Sequence, residues 1–567
     1  MNTPAFTRRE WTLVAIVILV ILGITALPYL FAYVVAPDDR QFMGVTFNIP
    51  DHFQYFSWMR ESRANVLVSN QLTPEYSAPL LFNLLWWTLG RIEAVTGLDY
   101  ALLYQITRLL AGAFVMAAIY WFCGLVFTDR RKRWTAFLVA VLGSGLGWLL
   151  VVEKFMLRLP DVNSPFAIYT SEPNTFFTIL SFPHFAIATG LITVIFGLVL
   201  LGQRSQNLRY AWAAAAVSLL LSLQHAYDMF TIYGVIGLYF LFIWLRDRRF
   251  PAYLFKLGII VGLVSVWPAL QAYLITTADD VWRGVLAQFD NAGAWTPPPY
   301  LLPVLMGLGW LLAIWALDIP IPGRDMARHA PTTRDDTHLL ITAWFLAHFV
   351  LVYLPLNFQI HLLSGWQVVT AVLATIGLYR RVLPWLQRRF KNTSPERLAR
   401  YASAALVLVV LPTNLYILAW RFLDMRAAWS NLEARTAENR YFLRADEVAA
   451  LEYLETQVNG DDVVLASLDI GQFVPALTGA RSFLGHWAQT LDFYGKRDLV
   501  TAFFNSATSD AQRLAILRDY GVDYVLYTPQ EATLGDYDLS TASFLDEVYA
   551  NDSVRVYAVT PEVAAAE

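Results

Sequence analysis

Long apolar runs separated by short polar stretches dominate the chain up to about residue 420. The first, "WTLVAIVILVILGITALPYLFAYVVA" at residues 11–36, carries no charged side chain. A helix crosses a bilayer core with about 20 apolar residues. This run is too long for a secretory h-region of roughly 7–15 residues, so it is expected as a retained first span. Further runs lie near 100–127, 134–152, 182–202, 210–226, 229–245, 253–275, 300–318, 338–355, 362–380 and 402–420. Together they predict a mainly α-helical polytopic membrane protein with about eleven transmembrane helices. Residues 78–96, "APLLFNLLWWTLGRIEAVT", are apolar too, but Arg91 and Glu93 interrupt them. They are either a twelfth span or a helix in the membrane interface, where Trp86 and Trp87 would suit.

Basic residues decide between the two. Arg8 and Arg9 precede the first span, which puts the N-terminus in the cytoplasm. With 78–96 lying flat, "RRKR" at 130–133 is also cytoplasmic. So are Arg204 and Arg209, the Arg246–Arg249 loop, Arg324, Arg328 and Arg334, and the basic stretch from Arg380 to Arg400. Every basic loop then falls on one side, so the eleven-span arrangement is preferred. Its odd parity places residues 421–567 outside the cytoplasm.

Beyond 420 the pattern changes. "DDVVLASL" (461–468) and "VDYVLYTP" (522–529) read as short buried strands, and "SVRVYAV" (553–559) alternates like a strand. "SDAQRLAILRDYG" (509–521) reads as a helix with Ser509 or Asp510 as N-cap and Gly521 as C-cap. This order suggests an α/β fold. The expected organisation is a transmembrane domain, 1–420, that includes a first outer loop at 37–99, followed by an extracytoplasmic α/β domain, 421–567.

Composition agrees: 57% of residues are hydrophobic and 15% charged, against about 25% charged in soluble domains. The single cysteine, Cys123, allows no disulfide framework. No Walker A loop, dinucleotide fingerprint or G-x-S-x-G elbow is present. "GSGLGWLL" (143–150) lies in a span, where small residues serve close helix packing.

Candidate chemistry collects in the segments expected on the outer face. "NIPDHFQYFSWMRES" (48–62) holds Asp51, His52, Arg60 and Glu61 among four aromatic side chains, Phe53, Tyr55, Phe56 and Trp58. It reads either as the start of an amphipathic interfacial helix, with Phe53, Phe56 and Met59 on one side, or as a solvated loop with Asp51 as N-cap. Glu172 and His184 lie just before a span, His225 and Asp228 are three residues apart, and Gln359 and His361 sit between two spans. Of eight histidines, His52, His184, His225 and His361 map to this face and His486 to the outer domain. Any one of them alone reads as an interface residue bonded to backbone. Gathered beside Asp51 and Asp228, they form a set able to hold a divalent cation or a phosphate, although no spacing matches a standard zinc motif.

"PDHFQYFSWMRES", "FPHFAIATGL" (182–191), "QHAYDMFTI" (224–232), "YLPLNFQIHLLSGWQV" (353–368) and "VPALTGARSFLGHWAQTLDF" (474–493), in this order of spans and outer domain, resemble the GT-C class of membrane glycosyltransferases. The resemblance covers nearly the whole chain. It implies an inverting enzyme of the bacterial inner membrane. The donor would be a polyprenyl-phosphate-linked sugar, and the acceptor a glycan, lipid or protein outside the cytoplasm, with membrane lipid but no nucleic acid as partner. It implies an acidic residue of the first outer loop as catalytic base, here Asp51. The adjacent pair Asp38-Asp39 has the commoner form of the motif and is its alternative. His52, Tyr55, Arg60, His184, His225, Asp228, Gln359 and His361 are the implied substrate-binding residues, and Arg63 is a further option for the leaving phosphate. Asp38, Asp39 and Glu172 are the implied ligands of a divalent metal, Mg or Mn. Two rivals stand beside this reading: a non-catalytic lipid-binding or envelope-assembly protein of the same fold, and a transporter of lipid-linked saccharides. Polar groups gathered at one face, rather than spread along the spans, favour an enzyme or binder.

Overall fold

The computed structural model describes residues 6–159, 166–288, 295–317, 336–430 and 439–560. Each expected apolar run is helical. Seven helices among the described residues are long and apolar enough to cross a membrane, or nine if two bent pairs each count as one span. Leu208–Ser222 and Asp336–Leu351 are shorter apolar helices. The chain is thus a multi-pass membrane protein. By contacts it forms two compact units, one drawn from Met1–Ala26, Ile106–Gln271 and Ala294–Trp420, the other from Leu27–Gln105, Ala272–Gly293 and Arg421–Glu567.

In the first unit three helices are interrupted, and each interruption has a local cause. Pro299–Met306 and Leu308–Ala316 meet at 114°. Between them Gly307 sits at φ +78°, and a Cβ there would lie 2.3 Å from the Ser144 carbonyl oxygen. Pro395–Val409 and Pro412–Arg426 meet at 40°, where Pro412 has no N–H to continue the ladder. The third break, at 143–146, falls in the glycine-containing stretch expected to pack closely. A Cβ on Gly145 would lie 2.3 Å from the carbonyl oxygens of both Val304 and Leu305. The backbone groups freed at these breaks satisfy one another. Leu146 N–H donates to the Val304 carbonyl at 2.6 Å, Ser144 Oγ to that of Val410 at 2.7 Å, and Thr413 Oγ1 to that of Gly145 at 2.6 Å. Irregular backbone at membrane depth persists only when protein covers it in this way.

The second unit contains a five-stranded mixed sheet in the order Arg481–Ser482, Val463–Leu465, Tyr524–Tyr527, Arg555–Val559, Leu545–Ala550. The first three strands are parallel, and Arg555–Val559 runs antiparallel to both of its neighbours. Ser509 caps the Asp510–Asp519 helix through a capping box with Gln512, and Gly521 follows at φ +58°. Arg40–Phe42 pairs antiparallel with Phe442–Arg444, which ties the segment after the first long helix to the C-terminal region.

Two helices of this unit answer expectations drawn from the sequence: one carries most of the 48–62 stretch, the other lies in the 78–96 run. Ile49–Glu61 buries Ile49, Phe53, Phe56 and Met59. That apolar side meets protein rather than lipid: Phe53 packs edge-on against Phe473 at 4.4 Å between ring centroids, and Phe56 against Tyr104 at 5.6 Å. Asn48, not Asp51, is the N-cap, held at φ +49°. Leu84–Thr96 is the flat-lying candidate. Its 13 residues extend about 20 Å, short of the ~30 Å hydrocarbon core. Gly90 brings it against the first helix, since a Cβ there would stand 2.2 Å from the Met59 carbonyl oxygen.

Candidate active site

Asp51 lies in the first turn of Ile49–Glu61, where a carboxylate is favoured by the helix dipole. Its two oxygens have different partners. Asn48 Nδ2 donates to Oδ2 at 2.5 Å, and His486 Nε2 lies 2.9 Å from Oδ1. The Asp51 side chain keeps 28% of its surface exposed, while His486 keeps 3%. A partly open carboxylate held in a defined rotamer can accept a proton or a hydrogen bond from a ligand.

The other residues expected near Asp51 serve the helix. His52 is buried, with Nδ1 donating to the Asn48 carbonyl at 2.8 Å and its ring against Tyr104. Tyr55 stacks on Trp86 at 4.6 Å. Arg60 donates to Glu455 at 2.7 Å and to the Leu477 carbonyl at 3.1 Å, docking the helix on Val474–Thr478. Arg63 pairs with Glu93 at 2.6 Å. Burial pushes the Glu61 carboxyl above the usual carboxylate range, against hydrogen bonds from Ser69. Asp39 is largely exposed beside Arg40 at 3.4 Å, and Asp38 lines a cavity of about 850 Å³ with Arg40, Phe53, Phe56 and Arg60.

The first unit gathers the remaining expected residues. His225 Nδ1 meets Asp228 Oδ2 at 2.7 Å, and Tyr227 Oη meets His225 Nε2 at 2.6 Å. His361 Nδ1 meets Glu172 Oε1 at 2.7 Å. Tyr227 packs against both His225 and His361, at 4.3 and 5.2 Å between centroids. His184 lies 5.7 Å from His225 on the same measure. Asp228 is fully buried, and its Oδ1 has no hydrogen-bond partner among the described residues. Gln359 spends its amide on backbone, accepting from Thr296 N–H at 3.3 Å and donating to the Leu354 carbonyl at 2.6 Å. So His184, His225, Asp228, Glu172 and His361 come together in one unit, and Asp51 belongs to the other.

Among the described residues no group of three or more His, Cys, Asp or Glu side chains is placed to hold a metal. Glu172 is committed to His361 in the first unit and Asp39 to Arg40 in the second. The expected ligands therefore do not form a set.

His486, Asn48 and Tyr227 are the contributors that the sequence reading did not place at these sites. Asn48 and Tyr227 adjoin residues that it did single out. His486 lies 435 positions from Asp51, and no local pattern announces that pairing.

No family model and no curated protein sequence matches the chain. Solved structures do. The oligosaccharyltransferase of Archaeoglobus fulgidus, crystallised with Zn and sulfate, aligns at 13% identity over 96% of this chain and 73% of its own, with a TM-score of 0.53. ArnT from Cupriavidus metallidurans bound to undecaprenyl phosphate aligns at 12% identity over 99% and 100%, with a TM-score of 0.49. The same archaeal enzyme with an inhibitory peptide and a dolichol-phosphate aligns at 13% identity over 96% and 74%, with a TM-score of 0.44. The first likeness establishes the fold: this polytopic membrane chain with a C-terminal sheet region has the GT-C architecture.

Proposed function

We propose that the chain transfers a sugar from a polyprenyl-phosphate-linked donor to an acceptor outside the cytoplasm, with inversion, in the bacterial inner membrane. One observation carries this reading: in a GT-C fold, Asp51 holds a part-exposed carboxylate, oriented by Asn48 and His486, on the segment after the first long helix. Asp51 takes the proton of the acceptor nucleophile. The nucleophile's electron pair forms the new bond at the anomeric carbon, from the face opposite the leaving group. The bond from that carbon to the phosphate oxygen breaks, and the polyprenyl phosphate leaves with the electron pair. Imidazolium or guanidinium groups can stabilise that anion. Within the first unit, His225 and His361, each held by a carboxylate, have the chemistry of phosphate ligands. No step is routed through a metal, because the expected ligands do not assemble.

Asp51→Asn keeps the shape and loses the base. In nanodiscs supplied with undecaprenyl-phosphate-linked hexoses and an envelope extract as acceptor, wild type should release undecaprenyl phosphate. The variant should be slower by about 10²–10⁴-fold at unchanged thermal stability. Undiminished release by the variant would remove Asp51 from the mechanism and move attention to Asp38 and Asp39. Binding of undecaprenyl phosphate without any turnover would favour the non-catalytic lipid-binding reading.

A further inference from the structure

We infer that His486 is a positioning residue: a neutral imidazole, locked in its Nε2–H tautomer, that donates one hydrogen bond to Asp51 and conducts no proton.

The tautomer follows from what each ring nitrogen faces. The backbone N–H of Ala488 donates to His486 Nδ1 at 2.9 Å. An N–H aimed at Nδ1 requires a lone pair there, so the ring proton is on Nε2. Nε2 faces Asp51 Oδ1 at 2.9 Å, and a carboxylate oxygen is an acceptor. The two contacts demand the same tautomer. A second proton on Nδ1 would point at the Ala488 N–H and cost that bond.

The ring has little freedom to do otherwise. It is 3% exposed and stacks on Trp487 at 4.4 Å. The turn that carries it is clamped. Thr490 Oγ1 accepts from the N–H groups of Gly485 and His486 at 3.1 and 3.0 Å, and donates to the Leu72 carbonyl at 2.6 Å. Asn70 Nδ2 donates to the Gln489 carbonyl at 2.9 Å, and the Ser482 N–H to that of Gln71 at 2.9 Å. A Cβ on Gly485 would stand 3.0 Å from the Leu72 Cα, so the backbones are in close approach. The 70–73 segment thereby sets the depth and angle at which the imidazole meets Asp51.

A proton shuttle needs a lone pair on one nitrogen and a proton acceptor beyond the other. Here the far nitrogen faces a donor. A proton taken by Asp51 cannot leave through the ring and departs from the open part of the carboxylate. This separates His486 from the histidine of a serine-protease triad, which itself takes up the nucleophile's proton. Its work is to hold one carboxylate oxygen so that the other electron pairs point outward.

The inference rests on the proposed role of Asp51, and two measurements keep their failures apart. First, ¹⁵N-histidine labelling of the full chain in nanodiscs, with the His486 signal identified by its loss in His486→Gln, reads the tautomer without any substrate. A protonated Nε2 and an unprotonated Nδ1 at neutral pH are expected; the reverse assignment, or a doubly protonated ring, overturns the inference whatever the enzyme does. Second, His486→Gln retains a side-chain N–H donor, whereas His486→Phe keeps the ring volume alone. Both lose the acceptor of the Ala488 N–H and should melt somewhat below wild type in detergent, while remaining folded at the assay temperature. Release of undecaprenyl phosphate should persist in the Gln variant, with kcat in the Phe variant down on the order of 10–100-fold at unchanged KM. Wild-type kcat in the Phe variant, or equal loss in both, overturns the positioning role. If wild type and Asp51→Asn both show no transfer, the functional reading fails while the ¹⁵N result still stands.

Discussion

Single residues divide here into those that hold the fold and those left open to chemistry, and hydrogen bonds tell them apart better than residue type. His52 and Arg60 have the chemistry of phosphate ligands, yet one is buried against Tyr104 and the other bridges to Glu455 and two carbonyls. Asp51 was legible as a candidate because an acidic side chain in an aromatic stretch needs a reason. Its partner was not, because a contact between residues so distant in sequence leaves no periodic trace. Asp469 shows the same logic away from the site. Burial holds its carboxyl up at about 6, with Arg440 opposing and Glu531 and Glu447 adding to the effect. A carboxyl raised in the folded state keeps its proton there more readily than in the unfolded chain. Stability is therefore full at low pH and is lost as pH rises from its ordinary 3.8 through about 6. Asp469→Asn should remove that loss. Thermal melts in detergent should show the variant more stable than wild type at pH 8, by up to about 3 kcal/mol, with no gain at pH 4. Equal gains at both pH values would assign the effect to packing instead.

At the scale of elements, apolar runs predicted the helices and missed their interruptions. Hydropathy registers how greasy a segment is, and a glycine or proline inside a run changes that average little. The breaks at 143–146, Gly307 and 410–411 become visible only when one chain segment's freed carbonyl meets another's N–H. In the C-terminal region the Asp510–Asp519 helix and three strands followed from periodicity. Arg481–Ser482 did not, being two residues long, and neither did Leu545–Ala550, whose exposed edge position removes the alternation. Gly307 is a direct test of the broken node. Its φ of +78° with ψ near −173° suits glycine almost alone, and its missing Cβ makes room for the Ser144 carbonyl. Gly307→Ala should destabilise by on the order of 1–3 kcal/mol, read as a lower melting temperature. Gly237→Ala, in the middle of Met229–Asp247 with nothing within 4 Å of its Cβ position, should be neutral or stabilising. Equal melting of the two variants would mean that the bend tolerates a side chain.

For the whole molecule, sidedness depends on whether Pro299–Ala316 crosses the membrane. Its 114° bend suits either a broken span or a re-entrant loop by shape alone. Charge discriminates between them. The Arg246–Arg249 loop and the stretch with Arg324, Arg328 and Arg334 are both basic, and basic loops face the cytoplasm. Two crossings must separate them. Ala252–Ala278 is long and apolar enough for one; the bent pair is expected to supply the other, and its glycine break would then be a kink within a span covered by neighbouring backbone. With that crossing, the Arg380–Arg400 stretch would return to the cytoplasm and residues 421–567 would lie outside. A re-entrant pair would reverse everything after it. Cysteine labelling in oriented vesicles reads this directly, because the native Cys123 is buried and gives little background. Thr128→Cys and Lys391→Cys should react with a membrane-impermeant maleimide only from the cytoplasmic side, and Asp498→Cys only from the opposite side. Labelling of Thr128→Cys and Lys391→Cys from opposite sides would convert the bent pair into a re-entrant loop. It would also put the C-terminal region on the face opposite residues 37–99, which the 2.9 Å contact between Asp51 and His486 does not allow.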